Sequence, residues 1–130
     1  MKIILIFTIF FGILSCDSAE NIIILKVNKA VYTGSQADPL AKACSNWELS
    51  LKDVKTIFML SKEVQREELH HRFYHLPCEI KGEALLNDKP ISFTLNGASY
   101  IKINADKFFY KACDTEKCKP LFLMSPESNS

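Results

Sequence analysis

The chain has 130 residues, too short for a multi-domain enzyme, and its sixteen Lys and Arg against fifteen Asp and Glu leave a formal charge of +1, too little field to gather a nucleic acid. Hydrophobic residues at 48% and charged residues at 24% are the balance of one folded domain rather than of a disordered chain or a membrane bundle.

At the N-terminus, Met1-Lys2 precedes the apolar run Ile3 to Leu14, broken only by Thr8 and Gly12 and followed by the polar Ser15-Cys16-Asp17-Ser18. A membrane-spanning helix needs roughly 20 apolar residues, and this run stops short of that, which is the pattern of an export signal. Its end, Ile13-Leu14-Ser15-Cys16, resembles a bacterial lipobox, although that pattern usually has Leu at its first place and a smaller residue at its second. The resemblance implies removal of residues 1–15, acylation (palmitate included) of Cys16 and a protein held to the membrane by lipid, facing the periplasm. Asp17 after the acylated cysteine implies a lean toward the inner membrane. The alternative is an ordinary secretory cut after Ser18 or Ala19 and a soluble product.

Beyond a tether over 16–21, one domain is expected over 22–124, with a polar tail at 125–130. Ile22 to Tyr32 is rich in Ile and Val and predicts a strand. Thr33 to Pro39 carries turn residues. Ser50-Leu51-Lys52-Asp53 has the form of a helix start, a serine cap with a carboxylate three residues on, after which Leu51, Val54, Ile57 and Phe58 recur at helical spacing. A second helix is expected from about Lys62 to His75, ended by Leu76-Pro77, with Glu67, His71 and His75 on the face opposite Leu69 and Phe73.

From Cys78 the period becomes two. Ile80, Gly82, Ala84 and Leu86 alternate with polar residues, Asn87 to Pro90 turns the chain, and Ile91 to Leu95 leads to Asn96-Gly97, the dipeptide of a type I′ hairpin. Strands follow at Ala98 to Asn104, Phe108 to Cys113 and Pro120 to Met124. The fold class is therefore α+β, an antiparallel β-meander of about five to six strands with two short helices on one side.

Export permits disulfides, and Cys44, Cys78, Cys113 and Cys118 remain after Cys16. Of three possible connectivities the polar insert Asp114 to Lys117 favours Cys113–Cys118 with Cys44–Cys78. Their spacing lacks the paired short intervals of a zinc site. Glu67, His71 and His75 read as a solvated face rather than as metal ligands, and no cofactor is expected. With no nucleophile elbow, phosphate loop or Cys-x-x-Cys motif, an enzyme is not expected; a hydrolase is the least favoured reading.

Phe108 to Tyr110 and Leu121 to Met124 carry more apolar side chains than one buried sheet face requires, which marks Phe109, Phe122 and Met124 as candidate partner-binding residues. The segments Cys44-Ser45-Asn46-Trp47 and Leu76-Pro77-Cys78 resemble those of small bacterial lipoproteins, which implies an envelope protein and supplies no activity. The expectation is a binding module for an envelope protein partner, of immunity-protein or inhibitor type, without nucleic acid. The alternative is a structural or assembly accessory of the envelope.

Overall fold

The computed structural model describes residues 20–126; the expected signal sequence, Cys16, Asp17 and the end of the tail lie outside the described residues. Strands β1 (Ile22–Val27), β2 (Val31–Tyr32), β3 (Lys62–Val64), β4 (Cys78–Leu86), β5 (Lys89–Asn96), β6 (Tyr100–Asn104) and β7 (Phe108–Ala112) form one antiparallel sheet. Helices α1 (Pro39–Ser45), α2 (Leu51–Leu60) and α3 (Arg66–Arg72) interrupt them, and a 3-10 helix η1 (Glu116–Leu121) follows the last. The strand order is β1-β4-β5-β6-β7-β3, with β2 also paired to β4. The α+β meander with two disulfides stands as expected.

β4 shows why the sheet has two unlike faces. Cys78, Ile80, Gly82 and Ala84 are buried, while Lys81 and Glu83 between them are exposed, because successive side chains of a strand point to opposite sides. The buried side meets Val54, Ile57 and Phe58 of α2, together with Phe93, Leu95, Ile101 and Ile103. Phe58 and Phe93 pack edge to face at 5.3 Å. At Gly82 an added Cβ would stand 2.2 Å from the carbonyl oxygen of Lys26 and 2.3 Å from the Phe93 ring, so the Lys26 carbonyl and the Phe93 ring close over β4 only at a glycine.

Helix α2 begins as expected. The Ser50 hydroxyl accepts from the Asp53 amide at 3.0 Å and the Asp53 carboxylate accepts from the Ser50 amide at 2.9 Å, a reciprocal capping box. Both bridges form in the favoured pairing, Cys44–Cys78 and Cys113–Cys118. The first fixes α1 to the start of β4. Trp47, beside it, donates its indole N–H to the Leu121 carbonyl at 2.8 Å and packs on Phe122.

Four expectations are corrected. Ile22 to Tyr32 is two strands: β1 pairs with β4 through a bulge at Leu25 as far as Val27↔Gly82, and pairing resumes in β2 only at Val31↔Glu79, four residues opposing three across the break. Lys62 to His75 is not one helix: Lys62–Val64 is strand β3, antiparallel to β7, and only Arg66–Arg72 is helical. Pairing with the otherwise open edge of β7 outweighs local helical preference there.

The third concerns the turns. Gly97 does not take positive φ; the type I′ geometry falls instead at Asn87 and Asp88, with φ of 50° and 66°. Asn96 remains in β5, and the next connection is the three-residue Gly97 to Ser99, with Ser99 left-handed at φ 76°, the second common hairpin form. Last, Pro120 to Met124 is not a strand. Pro120 sits inside η1, and the amides of Leu123 and Met124 donate to the Gly97 carbonyl, each at 3.0 Å.

Candidate functional site

The sheet's second face is left uncovered by α1 and α2, and its strands align side chains in cross-strand rows. One row runs Lys81, Thr94, Lys102, Tyr110 and Val64; the next runs Glu79, Asn96, Tyr100, Ala112 and Lys62. Helix α3 and the extended segment Phe73 to His75 rise beside these rows, leaving a concavity of about 550 Å³ lined by Arg66, Phe73, Glu79, Tyr100, Lys102 and Tyr110 among others.

Its wall is aromatic. Tyr100 meets Phe73 at 6.5 Å and Tyr110 at 6.4 Å, both in edge-on geometry, and Phe108 meets Tyr110 at 6.2 Å. The Lys102 ammonium stands 4.9 Å from the centroid of the Phe108 ring, within cation–π range. Such rigid amphipathic side chains supply contact area at low entropic cost.

Asn96 organises the floor. Its carbonyl oxygen accepts from the amides of Leu76 at 3.1 Å and Ala98 at 3.0 Å, and its amide donates to the Leu76 carbonyl at 2.8 Å. The same amide nitrogen lies 3.3 Å from His75 Nδ1. An amide nitrogen only donates, so this contact is a hydrogen bond in the tautomer whose Nδ1 accepts. The Tyr100 hydroxyl then donates to the same Nδ1. Burial foremost, with Glu79 and Tyr110 beside it, pushes the Tyr100 phenol up to about 12. It therefore stays a hydroxyl donor at physiological pH and holds His75 in place.

The sequence-predicted residues are dispersed. Phe109 is half-buried on the core side of β7, opposite Ile103. Phe122 is buried against Trp47. Met124 is 38% exposed at the other end of β6, beside the Gly97 to Ser99 connection. These three do not share one surface. Glu67 and His71 are exposed on α3, but His75 lies beyond that helix and turns to Tyr100 and Asn96, so the expected single helical face of Glu67, His71 and His75 is corrected. Among the described residues no group of three or more His, Cys, Asp or Glu side chains is placed to hold a metal ion.

Sequence reasoning missed Tyr100, Tyr110, Lys81 and Lys102 as one site. The available signal was the outward half of the period-two pattern, where Tyr and Lys stand in place of small polar residues. Finding that they meet required the register of four strands. Comparison of the chain with family models, with curated proteins and with solved structures finds no match.

Proposed function

We propose that the chain is an exported, lipid-anchored binding module that recognises a protein partner in the cell envelope, in the manner of an immunity protein or inhibitor, and performs no chemistry of its own. The observation that carries this reading is the aromatic and cationic concavity on the uncovered sheet face. It combines the residue types that dominate protein interfaces with a rigid floor. Two disulfides accord with an oxidising compartment, and the lipobox-like Ile13-Leu14-Ser15-Cys16 supports the anchor.

The test is covalent capture. Wild-type protein cross-linked in envelope membranes should yield one dominant adduct, and Tyr110→Glu should lose it while keeping the wild-type melting temperature. An adduct indifferent to Tyr110→Glu would defeat the groove as the binding site. For the anchor, intact mass spectrometry should show acyl groups on Cys16, and Cys16→Ala should accumulate as precursor or soluble protein. A soluble wild type beginning at Ser18, Ala19 or Glu20 would refute it.

An assembly accessory is the second reading. It is favoured by one observation: Ile23, Leu25 and Val31 are 46%, 53% and 58% exposed on the two strands that pair with the same edge of β4, apolar surface that a neighbouring subunit would cover.

A further inference from the structure

We infer that the concavity recognises an acidic segment of its protein partner, bound extended along the strands, with a carboxylate between Lys81 and Lys102 and an apolar side chain two residues away against Tyr100 and Phe73. This rests on the groove reading proposed above.

Charge is the first argument. Arg66, Lys81 and Lys102 line the concavity against the single carboxylate of Glu79, with Glu83 two residues beyond Lys81 on β4. None of these three cations enters an ion pair among the described residues, where the pairs are Arg72 with Glu68 and Asp114, Lys111 with Glu20, and Lys119 with Glu116. A chain of formal charge +1 therefore gathers unneutralised cations where its surface is concave. Low-dielectric walls there strengthen attraction for an anion.

Spacing is the second. Lys81 and Lys102 lie in one cross-strand row with Thr94 between them. Adjacent strands are about 4.8 Å apart, so the two lysine backbones are roughly 10 Å apart. The Lys102 ammonium rests over the Phe108 ring, and its long flexible stem lets it swing to meet that of Lys81 over the Thr94 hydroxyl when a carboxylate arrives. That seat accommodates one carboxylate rather than a run of phosphates.

The third is repeat length. Tyr100 belongs to the neighbouring row, two residues along β6 from Lys102, hence about 6.7 Å away. An extended peptide repeats its same-face side chains at that interval. An acidic residue over the Lys81–Lys102 row thus puts the next same-face side chain over the Tyr100 and Phe73 rings. Neither a free monosaccharide acid nor a polyanion carries that alternation of charge and apolar bulk.

The experiment is selection from a random peptide display library on the full folded protein, with binding of selected peptides measured by fluorescence anisotropy. Selected sequences should carry Asp or Glu two positions from a large apolar residue. The double variant Lys81→Glu with Lys102→Glu should weaken them at least tenfold, and replacing the peptide acid by Lys should restore binding to that variant. Rescue by the charge swap separates recognition from damage to the fold. Enrichment of basic or neutral peptides that ignore the double variant but are lost with Tyr110→Glu would overturn the acidic partner while leaving the groove standing. Binding indifferent to all three substitutions would overturn both. Absence of any enriched sequence, with displacement of the cross-linked partner by an anionic polysaccharide, would assign the seat to a polyanion and reject the peptide.

Discussion

With only 1% of its surface exposed, Asn96 serves three backbone groups at once: the Leu76 amide and carbonyl and the Ala98 amide. Asn96→Ala strips those partners in a place water does not reach, at about 1–3 kcal/mol for each group left unsatisfied. Partial relaxation of the Gly97 to Ser99 connection offsets some of that. Urea denaturation should show a loss of roughly 3 kcal/mol, and His75 should lose its fixed orientation.

Tyr100 offers a pH test. Its phenol is pushed up to about 12, against 10.0 unfolded, because burial favours the neutral form. The neutral hydroxyl thus contributes stability that is fully present below pH 10 and lost as pH rises toward 12. Alkaline spectrophotometric titration should show a phenol ionising at about 12 that is absent in Tyr100→Phe, distinct from Tyr32, which burial and Asp38 also push upward. A Tyr100 that ionises with the others would contradict its burial.

Among elements, α2 was legible because its signals are local. Ser50 and Asp53 are three apart, and the apolar stripe of Val54, Ile57 and Phe58 is the face it buries. Ser50→Ala should cost about 1 kcal/mol by thermal or chemical denaturation. Little else should change, since the hydroxyl reaches only the first turn. The stretch after Ser61 was misread because its decisive partner is remote. Nothing within Lys62-Glu63-Val64 announces that β7 ends the sheet and accepts a further strand. Asn96-Gly97 misled for a similar reason. The asparagine side chain is consumed by Leu76, twenty residues earlier, so the dipeptide does not act as the two-residue turn its local preference favours. Asn87-Asp88, less typical in sequence, takes that turn, and the Asn87 side chain also accepts from the Asn21 amide at 3.0 Å.

At the scale of the whole molecule, the cysteine pairing was legible because the count was even and the polar insert before Cys118 marked a tight connection. Chain entropy assigns the two bridges unequal weight, about 4 kcal/mol for the 34-residue separation and about 2 kcal/mol for the 5-residue one. Replacing Cys44 and Cys78 by Ala should therefore destabilise the domain by roughly twice as much as replacing Cys113 and Cys118, read from urea midpoints. Equal losses would place the stabilisation in packing instead. The groove was only half legible. Its residue types were visible as the polar phase of alternating strands, yet Lys81, Lys102, Tyr110 and Phe73 come from four segments that only the register brings together.

The Cys44–Cys78 bridge has a consequence for speed as well. β4 to β7 pair with sequence neighbours, whereas β1 and β2 must return from before all three α-helices to dock on β4. With the bridge closed, that search bypasses the 34-residue detour through α2, β3 and α3. Loop-closure entropy changes by about 0.6 kcal/mol for each halving of the loop, so oxidised protein should refold about threefold faster than the Cys44→Ala, Cys78→Ala pair in stopped-flow dilution from urea. The meander would thus form at the same rate with or without the bridge, and the thiol chemistry of the compartment would set how soon the N-terminal strands arrive.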